Sequence, residues 1–331
     1  MQFTLNFNIE PSENKINIQS NILTIGSCFA DVVGNQLVQN KIKVTANPFG
    51  TLFNPSSIFK LLTQSIKNLP VNNALLLENE GSWFHYDYHS QNNSPDKDQL
   101  ILDLESLQNK VRNELQSADY LILTLGTAFA YQFLETKTYV ANCHKMPANL
   151  FRKDLLHVKH ICQEFEQFYK NIKEINPSLK IILTVSPVRH TKDGIPENQV
   201  SKSILRAACH YIELDFAEVE YFPAYEIMMD ELRDYRFYES DMIHPNKIAE
   251  EYIYQRFSNT YFDENLLSFI SKWTKIRNDL SHKPFNIKSS AHQKFLKNLL
   301  KKLEDISEIV NVEKEKEAVL SSIFVENSDE R

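Results

Sequence analysis

Glycine is scarce in this chain, with 6 in 331 residues. That excludes collagen-like and glycine-rich linker organisation. Cysteine is also sparse. The four, Cys28, Cys143, Cys162 and Cys209, form no CxxC pair and no dense framework. A disulfide scaffold is thereby excluded, and reduced thiols in a cytoplasmic protein are expected. No apolar run approaches the roughly 20 residues of a membrane span. The opening residues, Met1-Gln2-Phe3-Thr4-Leu5, have no basic start and no long apolar segment, so neither a secretory signal nor a membrane partner is expected. Positive charge is in deficit, with 36 Lys and Arg against 43 Asp and Glu. A net charge of −7 has the wrong sign for a general nucleic-acid binder.

What remains is an ordinary globular composition, 42% hydrophobic and 24% charged. The length permits one large domain, or one domain with an appendage. Ile22–Ile25, Ile42–Ala46, Tyr120–Leu125, Lys180–Val185 and Glu218–Phe222 read as strands. The apolar run at Tyr120–Leu125 suits a parallel strand covered on both faces. Helices are predicted over Phe29–Gln39, Pro55–Ile66 (capped by Asn54), Leu104–Leu115, Lys153–Ile175, Gln199–Leu214 and Lys247–Asn259. Residues 1–20 suggest a peripheral strand or arm, 67–102 an irregular aromatic insertion, and Phe129–Val140 a short hairpin. The alternation predicts an α/β fold with a parallel sheet between two helical layers. Residues 1–262 would form this domain.

Residues 263–331 would form a helical extension, with helices at Phe269–Asp279 and Ala291–Glu317 and a frayed end at 326–331. The stripe Phe295, Leu296, Leu299, Leu300, Leu303, Ile306, Ile309 and Val310 has helical spacing. Packing on the chain's own body is the simpler expectation for it. A homo-oligomer contact through these helices is the alternative.

Chemistry concentrates at strand ends, where sites of open α/β sheets lie. Gly26-Ser27 ends the first strand and opens a helix. Ser27 there is either an N-cap or a nucleophile facing the unpaired N–H groups of the helix start. Asp241-x-x-His244 precedes the last helix of the α/β part, and a carboxylate and an imidazole at that spacing can share a turn. A serine hydroxyl needs such a base near neutral pH. Gly50, Gly126-Thr127 and Ser186-Pro187 also follow strand ends. Arg189 and His190 should face the same rim, as an anion-binding pair or, for Arg189, as half of a structural ion pair.

Cys28 could compete with Ser27, but it is expected to pack as a small buried residue. Cys143-His144 is a second composition-level pair, and adjacent residues seldom aim at one atom. In a strand, His85, Asp87 and His89 of Trp83–His89 would share a face and could ligate zinc. A hydrogen-bonded aromatic wall lining a cleft is the simpler expectation.

These residues resemble the GSCFA family, named for the run that stands here as Gly26-Ser27-Cys28-Phe29-Ala30. That family looks like a branch of the SGNH (GDSL-type) hydrolases. The resemblance also rests on Asn47-Pro48-Phe49-Gly50-Thr51, Leu125-Gly126-Thr127-Ala128, Asn142-Cys143-His144-Lys145, Val185–His190, Tyr221–Glu226 and Asp230–Pro245. It covers roughly residues 20 to 260. It implies a flavodoxin-like sheet, a serine nucleophile and a Ser-His-Asp hydrolase mechanism without metal or cofactor, but no substrate.

Ser27, His244 and Asp241 are the expected catalytic set. The backbone N–H groups of Ser27 and Gly50 are expected to bind the oxyanion. Typical SGNH enzymes add an Asn from a Gly-x-Asn turn. Here that turn reads Gly126-Thr127-Ala128, leaving Thr127 and Asn142 as the candidates for the third donor. Trp83, His85, His144, Arg189 and His190 are expected to bind substrate. The expected activity is hydrolysis of a small acyl ester, such as an O-acetyl group on a carbohydrate-like alcohol. The alternatives are acyl transfer by the same triad, or carbohydrate binding with little turnover.

Overall fold

The computed structural model describes residues 5–287 and 289–323. The first half of the sheet core is β1 (Asn21–Gly26), α1 (Cys28–Gln39), β2 (Lys43–Ala46) and α2 (Pro55–Lys67). A hairpin follows, β3 (Leu76–Asn79) and β4 (Ser82–His85), then α3 (Lys97–Ser117) and β5 (Tyr120–Leu125). The next strands, β6 (Phe129–Phe133), β7 (Thr138–Val140) and β8 (Phe151–Leu155), form a small antiparallel sheet in the order β7-β6-β8. The chain then returns through α4 (Val158–Ile175), β9 (Lys180–Val185), α5 (Ile195–Asp215) and β10 (Val219–Tyr221). A single turn α6 (Ala224–Glu226) leads to α7 (Lys247–Tyr261), α8 (Glu264–Ser281), α9 (Ser290–Ile306) and α10 (Glu313–Leu320).

The central sheet has five parallel strands in the order β2-β1-β5-β9-β10. This is the flavodoxin-like order, 2-1-3-4-5, whose switch point lies between β1 and its third strand. Alternation along each strand feeds two cores. Leu23, Ile25, Leu121, Leu123, Ile181 and Leu183 pack under α2, α3, α4 and α5. Ile22, Ile122 and Ile182 pack under α1 and α7 on the opposite face. Both faces are covered, which is why β5 and β9 read as continuous apolar runs.

Several boundaries differ from expectation. The expected helix Lys153–Ile175 starts at Val158, because Phe151–Leu155 pairs instead with β6. The helix expected over Leu104–Leu115 starts seven residues earlier, at Lys97, where the Asp96 carboxylate accepts from the Gln99 N–H. The 67–102 insertion therefore holds a hairpin and the first turns of α3. The helix expected over Ala291–Glu317 is two helices, parted at residues 307–312. Of its stripe, Leu296, Leu299, Leu303 and Ile306 are buried in the second core of the same chain, Phe295, Leu300 and Val310 are partly buried against it, and Ile309 is exposed. Trp273 on α8 donates to the Gln39 carbonyl at 2.7 Å, so the C-terminal helices share a core with α1 and α7. The N-terminal arm lies along the end of α7, with Ile16 N–H bonded to the Tyr261 carbonyl at 2.7 Å. Its residues 1–4, and the end at 326–331 expected to fray, lie outside the described residues. Among the described residues, no helix is long and apolar enough to cross a membrane.

Candidate active site

The connections after β1, β2, β5 and β9, with the loop before α7, meet at one cavity of about 300 Å³. Ser27, Cys28, Phe53, His89, Gly126, Ser186, Arg189, His190 and His244 are among its lining residues. Ser27 and His244, more than two hundred residues apart in sequence, both line this cavity, and no hydrogen bond joins them.

The nucleophile turn is built on close backbone approach. Gly26 has φ +145°, and a Cβ there would sit 2.1 Å from the Thr124 carbonyl oxygen of β5. No side chain fits, because the obstacle is ladder backbone. Gly26→Ala is expected to cost about 3 kcal/mol, from backbone strain and overpacking together. A fall in the urea midpoint of unfolding would measure it. Asn47, in the turn after β2, fixes the same corner. Its side-chain carbonyl accepts from the Gly26 N–H at 2.8 Å, and its backbone N–H bonds the Thr24 carbonyl at 2.8 Å.

Ser27 occupies the N-cap position of α1, but its side chain makes no capping bond. Its Oγ is buried and has no hydrogen-bond partner among the described residues. A buried hydroxyl left unbonded costs stability and so calls for a functional explanation. The neighbouring Cys28 thiol is pushed up by burial, and next by the Asp31 carboxylate, and so stays protonated near neutral pH. Of the two, the hydroxyl is the one with no structural task.

His244 Nδ1 lies 2.7 Å from Asp241 Oδ2. The other carboxylate oxygen, Oδ1, accepts the backbone N–H groups of Ile243 (2.8 Å) and His244 (3.0 Å). A carboxylate only accepts, so Nδ1 carries the proton and Nε2 is left as the acceptor. The imidazole and these N–H bonds hold the Asp241 carboxyl down to about 2. The loop is tied in place from the opposite side by Arg189. Its backbone N–H donates to the Ile243 carbonyl at 3.2 Å, and its Nη1 to the Met242 carbonyl at 2.9 Å. The guanidinium lies 4.0 Å from the Tyr238 ring centre. Arg189 is thus a clamp on the His244 loop as well as a cavity residue, and among the described residues it has no ion-pair partner.

The expected oxyanion donors are arranged differently. The Ser27 N–H donates to the Thr124 carbonyl at 3.0 Å and the Gly50 N–H to the Asn47 carbonyl at 2.7 Å, so both are taken by backbone. The Thr127 hydroxyl turns away, 3.0 Å from the Ser201 hydroxyl. The Asn142 side chain accepts from the His144 N–H at 2.8 Å, in the small-sheet region, and does not line the cavity. The N–H groups that helix geometry leaves unpaired are the first of α1, at Cys28 and Phe29. Both lie against the Cys28 thiol. Gly50 instead serves the cavity by having no side chain, since a Cβ there would sit 2.5 Å from the Cβ of His89.

Trp83, His85 and His144 also lie outside the cavity lining. Trp83 faces Lys97, whose ammonium is 5.2 Å from the ring centre. His85 Nε2 contacts the Asn72 carbonyl (3.1 Å), and its Nδ1 accepts from the Asp87 N–H (3.1 Å). Burial pushes His85 down to about 4. His144 Nε2 lies 3.0 Å from the His85 carbonyl. Asp87 pairs with Lys60, and of the three candidate zinc ligands His89 alone lines the cavity. The strand ends at His85, so the alternation that would align three ligands never extends to them. Among the described residues no group of three His, Cys, Asp or Glu could hold a metal ion. The aromatic wall exists, as ring contacts among Tyr86, Phe133 and Phe151, but it forms a separate small core.

Sequence reasoning missed a buried polar face on α5. Asn198, Ser201 and Lys202 sit at i, i+3 and i+4, in line with buried Leu205, Ala208 and Cys209. Asn198 accepts from the His190 N–H at 2.8 Å, and the Ser201 hydroxyl from the Ala128 N–H at 2.8 Å. Lys202 donates to the carbonyls of Gly126 (2.8 Å) and Ser186 (2.7 Å). Polar residues on a helix's apolar stripe were the available signal.

A larger groove of about 870 Å³ lies between the arm and helices α8 and α9. Its lining, which includes Phe269, Ile276 and Lys272, contains no histidine or cysteine.

Among curated proteins, none matches this chain in sequence. Similar solved structures include a carbohydrate esterase family 3 protein from Talaromyces cellulolyticus, at 10% identity and TM-score 0.33 over 76% of this chain and 99% of that one. Another is an acetyl xylan esterase from the rumen bacterium Butyrivibrio proteoclasticus, at 11% identity and TM-score 0.33 over 83% of this chain and 66% of that one. Likenesses this distant fix neither reaction nor substrate. The GSCFA family model, by contrast, matches residues 21–257, and the model of the GSCFA C-terminal domain matches residues 273–323. On that match, together with the Gly26–Ala30 turn at the rim of the sheet, the chain belongs to the GSCFA family.

Proposed function

We propose that the protein is a serine ester hydrolase that removes a small acyl group from an alcohol oxygen. One observation carries this reading: the unbonded Ser27 hydroxyl and the Asp241-bonded imidazole of His244 line the same cavity. A hydroxyl nucleophile needs a base, and the imidazole across the cavity has an orienting carboxylate.

In this mechanism Ser27 Oγ attacks the acyl carbonyl carbon while His244 Nε2 takes the hydroxyl proton. The carbonyl oxygen becomes an oxyanion at the N-terminal turn of α1, whose partial positive charge stabilises it. His244 then gives its proton to the leaving alcohol oxygen, and the ester bond breaks to leave an acyl-serine. Water, deprotonated by His244, attacks the acyl-serine. Collapse returns the proton to Ser27 Oγ and releases the acid.

A cavity of about 300 Å³ lined by Phe53, Val188 and Ile243 as well as polar groups suits a short acyl chain. The polar and cationic side chains at Arg189, His89 and His190 suit a hydroxyl-rich or carbohydrate-like alcohol.

The test is a panel of aryl acetate, butyrate and octanoate, with acetylated sugars, assayed on the full chain and on Ser27→Ala. Acetate turned over faster than octanoate, with no turnover by the variant, is expected. Equal turnover by both proteins would remove the proposal. Added alcohol acceptors that captured most of the acyl group would convert it to acyl transfer.

A further inference from the structure

Three Asp, Glu, Lys or Arg side chains are buried among the described residues: Asp87, Glu231 and Lys202. Asp87 pairs with Lys60 and Glu231 with Arg256. Among the described residues Lys202 has no carboxylate partner. Its ammonium bonds only the carbonyls of Gly126 and Ser186. An uncompensated buried charge is costly, and a well-packed apolar residue would relieve that cost. Its retention therefore calls for a use.

The location supplies one. Gly126 follows β5 and Ser186 follows β9, and both line the cavity that holds Ser27. The Thr127 hydroxyl beside Gly126 is turned away toward Ser201, and the Ser27 and Gly50 N–H groups are taken by backbone carbonyls. One source of oxyanion stabilisation is thus missing at the place where the lysine stands behind the wall.

We infer that Lys202 is a positioning residue for the reaction at Ser27: its ammonium ties Gly126 to Ser186 along one wall of the cavity and sets behind that wall the positive charge that a tetrahedral oxyanion needs. This rests on Ser27 being the nucleophile. The groups that face Lys202 are the Cys28 thiol from α1, the His190 imidazole from the loop after β9, and the Tyr225 ring of α6, whose centre is 5.8 Å away. None is a carboxylate, so an anion formed on the substrate would be its first counter-charge. Burial pushes the Lys202 ammonium down to about 7. It is held charged below that pH and lost above it, and a negative charge in the cavity would raise it again.

The test compares full-chain wild type with Lys202→Met, using an aryl acetate across about pH 6 to 9. The variant is expected to fold, to keep KM within about twofold, and to lose about 10²-fold in kcat. Wild-type kcat/KM should decline as pH rises through about 7, the free-enzyme value, and Lys202→Met should lack that decline. A variant with wild-type kcat and an unchanged profile would overturn the inference, as would a loss confined to KM. Should Lys202→Met not fold, the Lys202 side chain is titrated by NMR in wild type, with and without a small alkylboronic acid. Boronate bonded to Ser27 is a tetrahedral anion. An upward shift of about one pH unit or more is expected, and no shift overturns the inference. A wild type that neither hydrolyses ester nor binds boronate would bring down the reading of Ser27 as well. An active wild type matched by Lys202→Met would remove only the role of Lys202.

Discussion

Ser27→Ala should lower kcat for ester hydrolysis by about 10⁴ to 10⁶ and leave the fold unchanged. The fold is expected to survive because the Ser27 hydroxyl makes no hydrogen bond and no cap. Deleting it removes a buried polar atom that has no partner, which is neutral or slightly stabilising. Thermal unfolding should therefore shift little while activity disappears. His244→Gln should cost nearly as much, because without the imidazole the hydroxyl has no acceptor for its proton. The double variant should lose no more than either single one, since the two side chains act on one proton. Losses that multiplied in the double variant would mean that the two act separately.

Asp241→Asn is expected to lower kcat by about 10²-fold, less than loss of Ser27 or His244, with little change in KM. A triad carboxylate in a sealed site is worth more, about 10⁴-fold. Asp241 and His244 are each about half exposed, at 45% and 49%, and solvent screens the pair. Asn can still accept the Ile243 and His244 N–H bonds through its carbonyl, so the loop should hold its shape. What changes is the charge beside Nδ1, and with it the tautomer. The pH dependence has a definite sign. The Asp241 carboxyl is lower in the folded chain than its ordinary value, at about 2. Its contribution to holding the loop is fully present above about pH 4 and fades as pH falls toward 2. Wild type should therefore lose local order around His244 in that window, and Asp241→Asn should not. NMR of the His244 ring across the window would measure it.

The sheet and its two cores were legible in the chain because burial on both faces forces continuous apolar runs, and Tyr120–Leu125 and Lys180–Val185 have them. The Gly26-Ser27 turn and the Asp241-x-x-His244 spacing were legible because each is local chemistry within a few residues. Other features depend on partners far away in sequence. Phe151–Leu155 lacks strand alternation, and its pairing with β6 is a tertiary fact. Whether the Ser27 and Gly50 N–H groups are free depends on where the Thr124 and Asn47 carbonyls lie, and no spacing reports that. The metal-ligand pattern at His85, Asp87 and His89 needed the strand that ends at His85 to run on to His89. Lys202 is the converse case. A lysine at a helix position that otherwise continues an apolar stripe was visible as an anomaly, but its two carbonyl partners come from separate strand ends.

The most direct measurement of the central claim is covalent labelling by a small alkyl fluorophosphonate, located by peptide mass spectrometry, on wild type and His244→Gln. If hydroxyl and imidazole serve one atom, the label sits on Ser27 in wild type and its uptake falls at least about 10³-fold in the variant. A label on another residue, or uptake at Ser27 that is indifferent to His244, would contradict the account.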